Sequence, residues 1–193
     1  MPMKRFQLMQ SVNPEGLYGC VQACLPYLQQ NESGRGRIIT ISPLIYSRCL
    51  RGKTAYAMGK SGMSALTMGL AMDFERERRT DMAITSLWPA AAIDSAATQG
   101  PQTDRSQLRV PTIFSDAVLA ILKAPANVVN GHCLLDEDFL RDHAGIHDFT
   151  KYALVSGTTP RRIMPAKKPD LTVEEQADEG TRMDSTQIRA AKL

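Results

Sequence analysis

Apolar residues recur at helical spacing from Arg5 to Gln30: Phe6, Met9 and Val12, then Leu17, Cys20, Val21, Cys24, Leu25 and Leu28. Pro14 falls inside this run and removes a backbone donor, so a kink is expected near Asn13. The stretch Asn-Glu-Ser-Gly-Arg-Gly at 31–36 ends the helix, and the β-branched run Arg-Ile-Ile-Thr-Ile-Ser at 37–42 predicts a buried strand. After a loop with Pro43, Arg48, Arg51 and Gly52, a second helical pattern runs from Thr54 to about Arg78. It is crowded with alanine, glycine and serine. Each interior glycine costs a helix about 1 kcal/mol against alanine, so close backbone packing is expected to offset them. Met82 to Trp88 reads as a further strand closed by Pro89, and 94–110 as polar and irregular. Thr112 to Lys123 reads as an amphipathic helix. A last short strand, Gly131 to Leu135, runs into Asp136-Glu137-Asp138.

Strands that alternate with helices imply an α/β fold with a parallel sheet, here of three visible strands. From Ser156 the composition changes. The final 38 residues hold no aromatic, three prolines and thirteen charges, which predicts a solvated, disordered tail over 156–193 behind an ordered domain at 1–155.

Composition narrows the function. With 193 residues, 43% hydrophobic and 22% charged, the chain has the make-up of one soluble globular domain plus a tail. Its net charge of +3 is too mild to argue for nucleic acid, and no run approaches the length of a membrane span. The N-terminus lacks the apolar core of a secretory signal. Cysteines at 20, 24, 49 and 133 form no Cys-x-x-Cys pair, so reduced, buried thiols are expected rather than a metal or redox site. His143 and His147 are four apart, but Gly145 lies between them and no third ligand is apparent; a surface turn is expected and no metal site is assigned.

Tyr56 and Lys60 stand at i and i+4 near the start of the glycine-rich helix, on one face. An ammonium beside a phenol favours the phenolate, which makes such a tyrosine a candidate proton donor or acceptor near neutrality. Alone, the pair has the form of an ordinary surface contact. Its surroundings are more specific: Asn13-x-x-Gly16 in the preceding helix, a strand ending at Ser42 fourteen residues before Tyr56, and a strand ending at Pro89.

This order, over about residues 5–155, resembles the catalytic part of the short-chain dehydrogenase/reductase family. The resemblance implies the C-terminal part of a Rossmann-type doubly wound parallel sheet, strands five to seven with flanking helices. It implies hydride transfer between NADP or NAD and a carbonyl or secondary alcohol, including lipid- or steroid-like ones. Tyr56 would be the general acid or base on the substrate oxygen, and Lys60 would hold the nicotinamide ribose. Ser42 would hydrogen-bond the substrate carbonyl, and Asn13 would anchor a relay water. Pro89, Ile93 and Ser95 would contact the nicotinamide, with Ile93 and Ser95 at its carboxamide. Many family members carry two serines at the strand end and use the second; Pro43 stands there in this chain. The usual proline-glycine turn is Pro89-Ala90. The two long helices would form a homo-oligomer surface.

No Gly-x-x-x-Gly-x-Gly precedes Asn13, so the adenosine and pyrophosphate site of the family is absent from these residues. The expectation is a chain lacking the N-terminal cofactor half and impaired as an enzyme, or else a non-catalytic remnant that oligomerises with a full-length homologue. Ala191-Lys192-Leu193 is similar to the Ser-Lys-Leu peroxisomal address, which implies an import receptor as partner and a peroxisomal location.

Overall fold

The computed structural model describes residues 1–30, 35–43 and 53–167. Cys49, the loop positions Arg48, Arg51 and Gly52, and the chain from 168 onward, including Ala191-Lys192-Leu193, lie outside the described residues.

Three parallel strands, β1 (Arg37–Ile41), β2 (Ala83–Trp88) and β3 (Cys133–Leu135), form a sheet in the order β1-β2-β3. β1 pairs with β2 from Arg37↔Ala83 to Ile41↔Leu87, and β2 with β3 from Ser86↔Cys133 to Trp88↔Leu135. The central strand is buried from Ala83 to Leu87 because helices cover both of its sides, and it reads as an uninterrupted, mostly apolar run for that reason. Alternate residues face opposite layers. Ala83 and Leu87 meet Ile113, Ala117 and Ile121 of α4 (Thr112–Lys123), Val129 of α5 (Ala126–Val129), and Phe139 and Leu140 of α6 (Asp136–Ala144). Met82 and Ile84 meet Ala71 and Phe74 of α3 (Thr54–Arg76).

The N-terminal helical run is divided as Pro14 predicts. α1 (Met3–Gln10) and α2 (Gly16–Gln29) are joined by a π-helical turn, Ser11–Glu15, in which Asn13 Nδ2 donates to the Met9 carbonyl at 2.9 Å. Gly59 and Gly62 of α3 lie against this turn. A Cβ on Gly59 would stand 3.4 Å from Pro14 Cδ and 3.5 Å from Asn13 Cβ, so the small residues do let the helices approach closely. Gly131, at φ 75°, brings the chain to within 3.1 Å of Ala71 Cβ, measured from the Cβ it lacks; a side chain there would be strained and crowded.

Three expectations are corrected. Cys20 and Cys24 are exposed, because α2 turns only Val21 fully into the core, and Cys133, at the start of β3, is half-buried. Asp136-Glu137-Asp138 opens a nine-residue helix instead of ending a strand, and Gly145, left-handed at φ 66°, stops that helix after Ala144. His143, in the last turn, stacks on Phe139 with ring centroids 4.6 Å apart. Residues 156–167 are not a free tail. Ile163 N–H donates to the Ala90 carbonyl at 2.7 Å, Met164 is buried beside Leu135, and Arg162 pairs with Asp138.

Candidate active site

α3 begins beside the C-terminal ends of β1 and β2, which is where an open parallel sheet places its ligand crevice. Three polar ties hold the helix there. Thr67 and Thr40 share a hydrogen bond at 2.8 Å, Ser64 Oγ donates to the Pro43 carbonyl at 2.8 Å, and Lys60 Nζ donates to the Ile41 carbonyl at 2.7 Å. Each tie satisfies a polar group that burial would otherwise penalise.

Lys60 is 9% exposed, and burial lowers its pKa from the ordinary lysine value. Its Nζ lies 5.9 Å from the ring centroid of Tyr56 and 5.8 Å from that of Trp88, between two aromatic faces. Tyr56 itself is 36% exposed, at the opening. The two residues border a cavity of about 980 Å³ that Trp88, Pro89, Ile93, Ser95, Phe114 and Ile163 also line. A lysine ammonium has three protons; one is committed to Ile41, and the others remain for hydroxyls in the cavity.

Tyr56, Lys60, Pro89, Ile93 and Ser95 therefore come together around one space. The segment carrying the last three is fixed on both sides. Arg109 N–H donates to the Ala92 carbonyl and the Arg109 carbonyl accepts from Asp94 N–H, each at 2.8 Å, while Thr98 Oγ1 accepts from Ser95 N–H at 2.8 Å and donates to the Ile93 carbonyl at 2.9 Å.

Asn13 is not a lining residue. It sits across α3, against Gly59, one position from Lys60. Ser42 is not brought to the site at all. It is fully buried, its hydroxyl shares a hydrogen bond with Ser86 Oγ at 2.9 Å, and Ser86 Oγ donates back to the Ser42 carbonyl. The reason is the pleat. Ile41 lines the cavity, so the next residue points to the other side. Sequence reading placed Ser42 by its distance from Tyr56 and did not weigh strand parity.

Phe114, Trp88 and Ile163 shape the cavity and were not singled out beforehand. Phe114 and Ile163 come from segments far along the chain, and only tertiary structure assembles them. Asp136 was also missed as a contributor. It is wholly buried, and burial raises its carboxyl pKa to about 6 against the pull of its hydrogen bonds from Ala90 and Glu137. Its adjoining ion pairs are a buried one, Arg109 Nε–Glu137 Oε1 at 2.9 Å, and a partly exposed one, Arg162 Nη2–Asp138 Oδ2 at 2.5 Å. Burial pushes the Asp138 carboxyl up, but Arg162 and Arg141 outweigh it and hold it below its ordinary value. No group of three or more potential metal ligands occurs among the described residues.

A family model described as short chain dehydrogenase matches residues 1–103. Hydroxysteroid dehydrogenase-like protein 2 of Rattus norvegicus is 34% identical over 183 residues, which is 91% of this chain and 33% of that protein. The chain spans about a third of the length of the curated relatives it matches. A solved structure from Xanthomonas campestris is similar at 40% identity and a TM-score of 0.70, over 90% of this chain and 60% of the other. A short chain dehydrogenase from Mycobacterium thermoresistibile has a TM-score of 0.70 at 31% identity, over 81% of this chain and 55% of its own.

Proposed function

Since the chain belongs to the short-chain dehydrogenase family, we propose that it contributes the proton-transfer site of a nicotinamide-dependent reductase or dehydrogenase acting on a carbonyl or secondary alcohol. The observation that carries this reading is Lys60: a buried ammonium, anchored on Ile41 and within 6 Å of the Tyr56 ring, at the edge of a mostly apolar cavity. The described residues fit the nicotinamide end of the cofactor. Lys60 has protons to spare for ribose hydroxyls, and the hydrogen-bonded Pro89–Ser95 wall offers Pro89, Ala92 and Ile93 as an apolar flank. They do not fit the pyrophosphate end, for which the 193 residues contain no glycine-rich turn. When bound, the cofactor supplies or accepts a hydride; NAD and NADP are not distinguished by these residues.

Tyr56 protonates the substrate oxygen in reduction and takes the proton back in oxidation. The Lys60 ammonium stabilises the phenolate left behind. Asn13 holds the π turn that packs on Gly59 and so sets where α3 begins. Ile93, Trp88, Phe114 and Ile163 bind the apolar body of the substrate, consistent with a lipid- or steroid-like molecule, and exclude water from the reacting oxygen. Ser42 is left out, because its hydroxyl is engaged with Ser86.

The test joins this chain to the N-terminal half of a homologous dehydrogenase and follows oxidation of NADH and NADPH with a panel of apolar carbonyls. We expect activity in the joined protein and none from the 193-residue chain alone. Tyr56→Phe should lower the rate by about 10²–10⁴-fold. Equal rates for wild type and Tyr56→Phe would remove Tyr56 from the mechanism.

Two further expectations belong to this proposal. The N-terminal helices and α3 expose Leu8, Val12, Tyr18, Met58, Met68 and Met72, which supports association with a second copy or with a full-length homologue, to be read by light scattering. Peroxisomal import through Ala191-Lys192-Leu193 is tested by deleting those residues from a fluorescent fusion, which should then stay cytosolic.

A further inference from the structure

Asp136 is completely buried at the first position of α6, where burying a carboxyl is costly unless its oxygens are used. Its side chain does more than start the helix. Oδ1 accepts from Glu137 N–H at 2.7 Å and also from Ala90 N–H at 2.8 Å, forty-six residues earlier in the chain. Oδ2 is buried with no hydrogen-bond partner. The long-range bond is the informative one, because Ala90 follows Pro89 in the wall of the Tyr56–Lys60 cavity and belongs to no strand.

The carbonyl of the same residue accepts from Ile163 N–H at 2.7 Å and Met164 N–H at 3.2 Å. Ala90 is thereby gripped at both its polar groups. The two residues after Asp136 tie the neighbouring walls to the same helical turn. Glu137 bonds Arg109, whose backbone brackets Ala92 and Asp94, and Asp138 bonds Arg162 at 2.7 and 2.5 Å, the residue bridged to Ala91.

We propose that Asp136 is a positioning residue that fixes the turn after Pro89 against Trp88 and Lys60, and so sets the width of the cavity. Its consequence for catalysis rests on the function proposed above; the positioning itself does not. The carboxylate acts through Ala90 and touches neither substrate nor cofactor.

Trp88, the chain's single tryptophan, immediately precedes Pro89 and reports the turn directly. Asp136→Ala removes the acceptor for Ala90 N–H. We expect its tryptophan emission to shift to the red and acrylamide quenching to rise about twofold or more, with far-ultraviolet dichroism unchanged. Asp136→Asn keeps an acceptor oxygen and should restore the wild-type emission, a rescue that loss of bulk alone does not explain. A folded Asp136→Ala protein with wild-type emission and quenching would overturn the proposal.

Should Asp136→Ala fail to fold, amide exchange in the wild-type chain decides. Ala90 N–H should exchange as slowly as the amides of β2, and exchange at the rate of open loops would overturn the proposal equally. In the joined enzyme, Asp136→Ala should lose activity and Asp136→Asn regain most of it. An emission change without any dehydrogenase activity in the joined wild type would leave the positioning role standing and defeat the functional reading instead.

Discussion

On one face of the sheet Ala83 and Leu87 pack into a continuous core with Ile113, Ala117, Ile121, Val129, Phe139, Leu140 and Tyr152, while on the other, among the described residues, Met82 and Ile84 form a smaller buried cluster with Ala71 and Phe74, with Leu25, Leu28, Ile38 and Leu70 half-buried around it. The first face is held mainly by large apolar side chains, with one enclosed ion pair, Arg109–Glu137, and one buried hydroxyl tie, Thr85 to the Val129 carbonyl, among the described residues. The second is held by small residues and hydroxyl ties, Thr40–Thr67 and Ser64–Pro43, and α3 turns Met58, Met68 and Met72 outward. The difference separates two tasks. The densely packed side supports the α6 turn that fixes the cavity wall. The lightly packed side carries the proton-transfer pair on a helix placed by a few directional bonds.

If that division holds, the largest effect should come from the packed side. Glu137→Ala leaves Arg109 as a buried guanidinium whose remaining side-chain bond runs to the Phe149 carbonyl. We expect a loss of about 3–5 kcal/mol in denaturant unfolding. A loss under about 1 kcal/mol would mean that this side is looser than its packing implies. Asp136 gives the next effect, with a definite sign. Its folded pKa of about 6 lies above the carboxyl reference of 3.8, so its stabilisation is full below about pH 4 and is lost as pH rises through 6. At about 1.4 kcal/mol per pKa unit this is roughly 3 kcal/mol. Asp136→Asn cannot titrate, so the stability of wild type minus that of the variant should fall by that amount from pH 4 to pH 8. A flat difference would place the carboxyl in a wetter setting than Ala90 and Glu137 provide.

Legibility in the sequence follows the same line. β1, β2, α3 and α4 were readable because β-branched runs and 3.6-residue spacing are local, and the irregular turn around Asn13, here π-helical, because proline removes a donor locally. Tyr56 and Lys60 were readable because i,i+4 spacing on a helix is a geometric statement. Ser42 was misplaced because its role depended on which way a strand residue points, a single-residue parity that distance along the chain does not carry. α6 was missed because three consecutive acids directly after a short apolar strand look like a loop, and their partners Ala90, Arg109 and Arg162 lie 24 to 46 residues away. Residues 156–167 were read as tail for the same reason, since a few long-range bonds hold them in place of a core of their own.

On the lightly packed side the expected effects are smaller. Thr67→Val removes the partner that Thr40 Oγ1 holds at 2.8 Å, leaving it a longer contact of 3.4 Å to the Thr85 carbonyl. A cost of about 1 kcal/mol is expected, read from the unfolding midpoint. A cost near 3 kcal/mol would show that hydroxyl ties bear as much of the fold as the apolar core opposite.

The smallest effect has the opposite sign. Gly69 lies in the interior of α3, exposed, with nothing within 4 Å of where its Cβ would stand. Gly69→Ala should therefore stabilise the monomer by up to about 1 kcal/mol, through helix propensity alone. If the outer face of α3 meets a second copy, the same methyl enters a close helix–helix contact that glycine leaves open, and association should weaken. Unfolding at two protein concentrations separates the two. The gain should appear at high dilution and shrink as concentration rises, with a matching increase in the Kd from light scattering. An equal gain at both concentrations, with self-association unchanged, would mean that partners do not meet on this face and that its methionines and glycines face solvent.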